Sequence, residues 1–97
     1  MQSHEVLTKL KARQADFHRL GVKNLYLFGS TVRGEATDLS DVDLFFDYEK
    51  GRLGVYELME VKAFAAAVLG QKTDIMTRDS LHRALRRGIE ETAVRVF

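Results

Sequence analysis

The segment FGSTVRGEATDLSDVDLFF, Phe28 to Phe46, constrains this chain more tightly than any other. Two small residues, Gly29 and Ser30, follow the apolar run NLYLF, and two aspartates one residue apart, Asp41 and Asp43, stand at the head of the run VDLFFD. Short apolar runs bounded by turn residues read as buried strands, so strands are predicted over 24–28 and 42–47, with the Gly-Ser pair at the C-terminal end of the first. Alternate residues of a strand share a face. Asp41 and Asp43 then point the same way while Val42 and Leu44 face a core. Two like charges about 5 Å apart repel by about 3 kcal/mol at an effective dielectric of about 20, which favours a proton or a divalent cation between them. Ligands that offer only oxygen suit magnesium.

The rest of the chain supplies elements around that pair. Val6, Leu10, Phe17 and Leu20 recur at helical spacing, which predicts one amphipathic helix over 3–20 with Ser3 as its N-cap and Gly21 as its stop. Residues 31–40 are too polar and broken for a long element, apart from one helical turn after Ser30. A loop is expected over Tyr48 to Gly54, then a helix over 56–69 with Leu58, Val61, Ala65 and Val68 on its buried stripe and Gly70 at its end. KTDIM, 72–76, reads as a third strand. Asp79 or Ser80 is expected to cap a helix through LHRALRRGIEE, weakened at Gly88, and AVRVF alternates as an edge strand does. These elements define an α/β (α+β) fold, a small mixed sheet packed against helices.

Composition limits the alternatives. From 97 residues a single domain, 1–97, is expected, burying somewhat more than roughly 60% of its unfolded surface, with no second, substrate-holding domain expected. With no cysteine and no Cys/His cluster, neither a disulfide framework nor a structural zinc site is expected. A net charge of +1 with 30% charged residues lacks the basic footprint of a nucleic-acid binder. No apolar run approaches the roughly 20 residues of a membrane span, and MQSHEVLTKL lacks a signal-peptide layout. A soluble cytoplasmic protein is expected.

Asp74, in the third strand, can bring a third carboxylate to the same side of the sheet. Three carboxylates can hold two metal ions, one on a triphosphate and one activating an attacking hydroxyl. Gly29 lets a ligand approach the backbone closely, Ser30 adds a hydroxyl, and Arg33, one helical turn on, can make a bidentate contact with the same phosphates. Glu35 is read as bracing the turn. His4, His18 and His82 have no paired spacing and are read as surface or partly buried side chains. RALRRG is read as a solvated helix face, with contact to a nucleotide or an RNA-bound partner as the alternative, and Met59 and Phe64, off the stripe of their helix, hint at apolar area that needs cover.

Gly29-Ser30, ten intervening residues and Asp41-x-Asp43 resemble the signature of the nucleotidyltransferase superfamily whose fold is like the catalytic domain of DNA polymerase beta. GSTVRGEATDLSDVDL is similar to the longer motif of the minimal nucleotidyltransferase proteins, with Gly-Ser, two variable residues, Arg-Gly-Glu-Ala and later Ser-Asp-x-Asp-Leu. Thr31 and Val32 stand where arginine and alanine are common, and Asp38 where proline or glycine often sits. The resemblance implies metal ligands at Asp41 and Asp43, the third acid at Asp74, and phosphate contacts at Gly29, Ser30 and Arg33. It also implies magnesium, with two ions, and ATP as substrate. The family members of this size resemble the antitoxin half of a toxin and antitoxin pair, in which AMP passes from ATP to a tyrosine of a HEPN-domain ribonuclease toxin. Two other readings stand beside this one: an antitoxin of weak activity that masks its toxin by binding, and a transferase acting on a small molecule or an RNA end.

Overall fold

The computed structural model describes residues 1–37, 40–51 and 53–97. Asp38, where the family pattern differs, and Arg52, in the expected loop, lie outside the described residues. Four strands form one sheet in the order β3-β2-β1-β4. Strand β1 (Val22–Phe28) pairs antiparallel with β2 (Val42–Tyr48), β2 pairs parallel with β3 (Thr73–Thr77), and β4 (Val94–Arg95) pairs antiparallel with β1. A parallel pair requires a crossover. Here the crossover is the helix α4 (Val55–Leu69).

Alternation along the strands decides the two faces. Leu25 and Leu27 of β1, Val42, Leu44 and Phe46 of β2 and Ile75 of β3 are buried against Val61, Ala65 and Leu69 of α4. Two more helices complete that layer: α1 (Ser3–Lys11), which contributes Val6 and Leu10, and α2 (Gln14–Arg19), which contributes Phe17. Each of the large side chains taken fully out of water contributes about 1.5–3 kcal/mol. Phe17 meets Phe64 edge to face at 4.9 Å, so Phe64 belongs to this core, whereas Met59 is 61% exposed.

The expected first helix is in fact two. It breaks at Ala12 and Arg13, where neither residue is a helix breaker, because the turn there swings Phe17 onto Phe64 and Phe97. Tertiary packing overrides a continuous local pattern at this point. Ser3 is the first helical residue, and Gln2, with no side-chain bond, occupies the cap position. The second strand runs on through Tyr48, which the sequence reading placed in the loop.

The other face of the sheet carries Tyr26 and Phe28 of β1 and Asp43, Phe45 and Asp47 of β2. The chain leaves β3 at one edge and must return to β4 at the opposite edge. It crosses through a 3-10 turn (Arg78–Ser80) and the helix α5 (Arg83–Thr92). Ten residues of helix extend about 15 Å, close to the width of three strand spacings. Neither Asp79 nor Ser80 caps this helix. Both are taken up in the 3-10 turn, and His82 Nδ1 accepts the Ala84 N–H at 3.2 Å instead.

Arg78 ties the crossing to the sheet. Its Nε and Nη2 donate to the two Asp47 carboxylate oxygens at 2.7 and 3.0 Å, and its Nη1 donates to Glu90 Oε2 at 2.6 Å. The guanidinium lies over the stacked rings of Tyr26 and Phe45, 4.9 and 5.0 Å from their centroids. Burial alone would raise the Asp47 pKa, but the Arg78 and Asn24 hydrogen bonds outweigh it and hold the carboxyl below its ordinary value. A depressed native pKa gives stability that is present above the ordinary carboxylate value of about 3.9 and is lost as pH falls through the native one. Asp47→Asn and Arg78→Ala should therefore each cost about 1–3 kcal/mol near neutral pH. Urea midpoints measured for Asp47→Asn from pH 6 down to pH 2 should converge with those of wild type at the acid end.

Candidate active site

The strand ends bring the sequence-selected residues together at one end of the open face. Phe28 pairs with Asp43 across β1 and β2, so the Gly29-Ser30 turn begins beside the Asp43 side chain. Parallel pairing sets Asp43 opposite Asp74. Asp41 immediately precedes β2, and its backbone is fixed from both sides: Gln71 Nε2 donates to the Ser40 carbonyl at 3.2 Å, and the Val42 N–H donates to the Lys72 carbonyl at 3.1 Å.

Gly29 is required where it stands. Its φ is +83°, and a Cβ would overlap the Asp43 carboxylate and lie 3.1 Å from its Cγ. The chain then closes the helical turn α3 (Ser30–Arg33), whose Arg33 N–H bonds the Gly29 carbonyl at 3.2 Å. Arg33 Nε donates to Glu35 Oε2 at 3.2 Å, so Glu35 braces the turn as expected. Thr31, at a position the family pattern often gives to arginine, is 4% exposed, and Val32 packs partly buried on the core. Both differences are absorbed by packing.

Charge is unevenly compensated. The Asp43 carboxyl is pushed up, first by burial and then by repulsion from Asp74 and Asp41, with Arg33 pulling the other way. Asp41 has Lys72 Nζ at 3.8 Å, a cation on an almost fully exposed stem that can leave readily. Asp74 is exposed. Among the described residues, no three acidic or histidine side chains converge closely enough to hold a metal ion by themselves. His4 and His82 are exposed, and so is His18, whose ring bonds Gln14 and the Val22 carbonyl.

A cleft of about 440 Å³ opens from this corner. Phe28, Gly29, Arg33 and Asp43 form one wall. Leu85, Gly88, Ile89 and Thr92 of α5 form the other, so part of RALRRG faces the cleft instead of bulk solvent. The signal for that wall lay in the sequence as an apolar pair, Leu85 and Ile89, at helical spacing around a glycine. The Lys72 and Arg78 pairings carried no local signal.

The Gly-Ser turn thus sits beside the strand-borne Asp43 at the mouth of the open face. The pattern of the nucleotidyltransferase domain matches residues 5–96, and the chain belongs to that family. A Methanocaldococcus jannaschii protein provisionally named a protein adenylyltransferase is 33% identical over 94 residues, 95% of this chain and 92% of that one. A solved structure provisionally described as a minimal nucleotidyltransferase superposes with a TM-score of 0.82 at 29% identity, covering 97% of this chain and 95% of the other. A toxin-antitoxin crystal structure with AMP-PNP shares the fold, with a TM-score of 0.70 at 19% identity over 90% of this chain and 72% of the other. The α/β fold expected from the sequence is the one observed. Among the described residues, no helix is long and apolar enough to cross a membrane.

Gly29→Ala should lower stability by about 2 kcal/mol or more, because φ strain and overlap with Asp43 add. In an Asp43→Ser background the same change should cost less, since the overlap with the carboxylate is gone and the φ strain and the 3.2 Å contact with the Cβ of residue 43 remain. Urea denaturation of the four proteins measures that difference.

Proposed function

We propose that the protein is a magnesium-dependent adenylyltransferase that moves AMP from ATP to a tyrosine of a toxin partner, a HEPN-domain ribonuclease, and so silences it. The observation that carries the reading is Asp43 set opposite Asp74 and against Gly29, with Arg33 in the same cleft. The name of the Methanocaldococcus jannaschii relative supports protein as the acceptor, and the fold shared with a toxin-antitoxin structure containing AMP-PNP supports a toxin partner and ATP.

The residues suit magnesium by their chemistry. All the donors are carboxylate oxygens, their mutual repulsion needs a cation, and magnesium is usually held by one or two carboxylates together with substrate phosphates. Asp41 and Asp43 would hold one ion with the phosphates, and Asp74 would join Asp43 toward a second. That use of phosphate oxygens accounts for a site in which protein ligands alone do not converge. Bound there, magnesium would supply charge neutralisation on the triphosphate and acidify the acceptor hydroxyl.

The chain's own groups do the positioning. The open backbone at Gly29 and the Ser30 hydroxyl receive phosphate oxygens, and Arg33 balances their charge by exchanging Glu35 for a phosphate. Lys72 releases Asp41 at little cost, since exposed ion pairs are worth about 0–1 kcal/mol. The acceptor hydroxyl gives its proton to solvent, its oxygen bonds to the α-phosphorus, the bond to the bridging oxygen of the β-phosphate breaks, and pyrophosphate leaves. Asp74, exposed beside Asp43, stands on the side from which a protein acceptor can approach. One domain, 1–97, suffices for this chemistry when the partner brings the acceptor.

A binding-only antitoxin is the second reading. It is favoured by the apolar side chains that α4 presents to solvent at Val55, Tyr56 and Met59, 74%, 80% and 61% exposed. The variant Asp41→Asn/Asp43→Asn separates the two. Incubated with magnesium, α-labelled ATP and host extract, wild type should label one protein band and the variant none. Label in both samples, or in neither while the toxin is still neutralised, would sink the transferase reading. The variant should also be at least as stable as wild type, because it removes repulsion, and magnesium should raise the melting temperature of wild type only.

A further inference from the structure

Helix α5 turns its apolar side chains to the cleft instead of a core. None of its residues is buried, and Leu85 is 60% exposed. In its middle stands Gly88, which costs a helix about 1 kcal/mol relative to alanine. A Cβ at Gly88 would meet nothing within 4 Å, so no neighbouring atom accounts for the missing side chain. The position looks into the cleft, between Leu85 and Ile89. Opposite them is Phe28, whose ring rests on Phe45 at 5.6 Å. A cleft lined by aliphatic groups from α5 and an aromatic residue from β1 suits an apolar ring system, and its volume of about 440 Å³ lies in the range of small-molecule sites.

We propose that this wall seats the nucleobase of the donor nucleotide, with Gly88 as the position kept clear for the ring. The inference rests on the reading that phosphates are held at Gly29, Arg33 and Asp43. Those three residues line the same cleft, and a base is tethered to its phosphates, so it must lie within a nucleotide's length of them. Asp74 is not part of the cleft lining, which leaves its exposed side for the acceptor. The α5 wall offers apolar contact and so recognises a ring rather than further phosphate.

Gly88→Leu fills the space with a better helix former, and Leu85→Ser removes an exposed apolar contact, so both variants should fold. Binding of ATP and of inorganic tripolyphosphate, each with magnesium, is measured by calorimetry on wild type and both variants. ATP affinity should fall about tenfold or more in Gly88→Leu and by a smaller factor in Leu85→Ser, in line with the worth of one stacked base. Tripolyphosphate affinity should stay within about twofold. ATP binding unchanged in Gly88→Leu would overturn the proposal, and unchanged binding with reduced transfer would assign the cleft to the acceptor instead. Equal losses for ATP and tripolyphosphate would also overturn it, since the substitution would then act on the phosphate end. Wild-type protein that binds neither ligand would overturn the phosphate reading together with this one.

Discussion

The parallel pairing of β2 with β3 places Asp43 directly across from Asp74, and the arrangement of the open face follows from that register. A slip of one residue would turn Asp43 into the helical layer and bring Leu44 out. The burial of Val42, Leu44 and Phe46 against α4 holds the register, so the hydrophobic core sets where the carboxylates point. Their repulsion is a cost that packing must cover, and the steric closeness of Gly29 to Asp43 shows how little slack remains at this corner.

Two aspartates four residues apart on β2 meet opposite environments on one face. Asp47 receives a two-pronged guanidinium and an amide, and its carboxyl is held down despite burial. Asp43 has burial and two acidic neighbours, which outweigh the pull of Arg33, and its carboxyl is pushed up. Between them Phe45 lies under Arg78 and against Tyr26, an apolar divider about two strand residues from each carboxylate. Cation over ring contributes about 0.5–2 kcal/mol where water is partly excluded. One end of the strand face is thus closed by paired charge, while at the other burial and two acidic neighbours outweigh Arg33 in their effect on Asp43.

Much of this was legible in the residues. Alternation in VDLFFD set the facing of Asp43, a local fact that survives into the sheet, whereas the place of Asp74 opposite it depends on the parallel register of β2 and β3, which KTDIM alone left open. The break at Ala12 and Arg13 was not legible, because the force that makes it comes from Phe64 and Phe97, far along the chain. The partners of Arg78 lie 31 and 12 residues away and leave no periodic trace. Nor did RALRRG reveal its place. A helix whose charged residues dominate its composition reads as solvated until the topology requires it to cross the sheet face.

That crossing couples the two ends of the face. The helix α5 has no buried side chain of its own, so its position depends on the chain connections at either end and on the grip of Arg78 on Glu90. Arg78 in turn is fixed by Asp47 and the rings of Tyr26 and Phe45, on the same strands that carry Asp43 and Phe28. The width of the cleft is therefore set from the closed end of the face, by groups that never enter it. A helix held by a few directional contacts, instead of a broad apolar interface, can yield locally without unfolding the sheet beneath it. In a chain of this size that is a consistent division of labour: the α1, α2 and α4 layer carries the stability, which leaves the opposite face to present carboxylates and an open cleft.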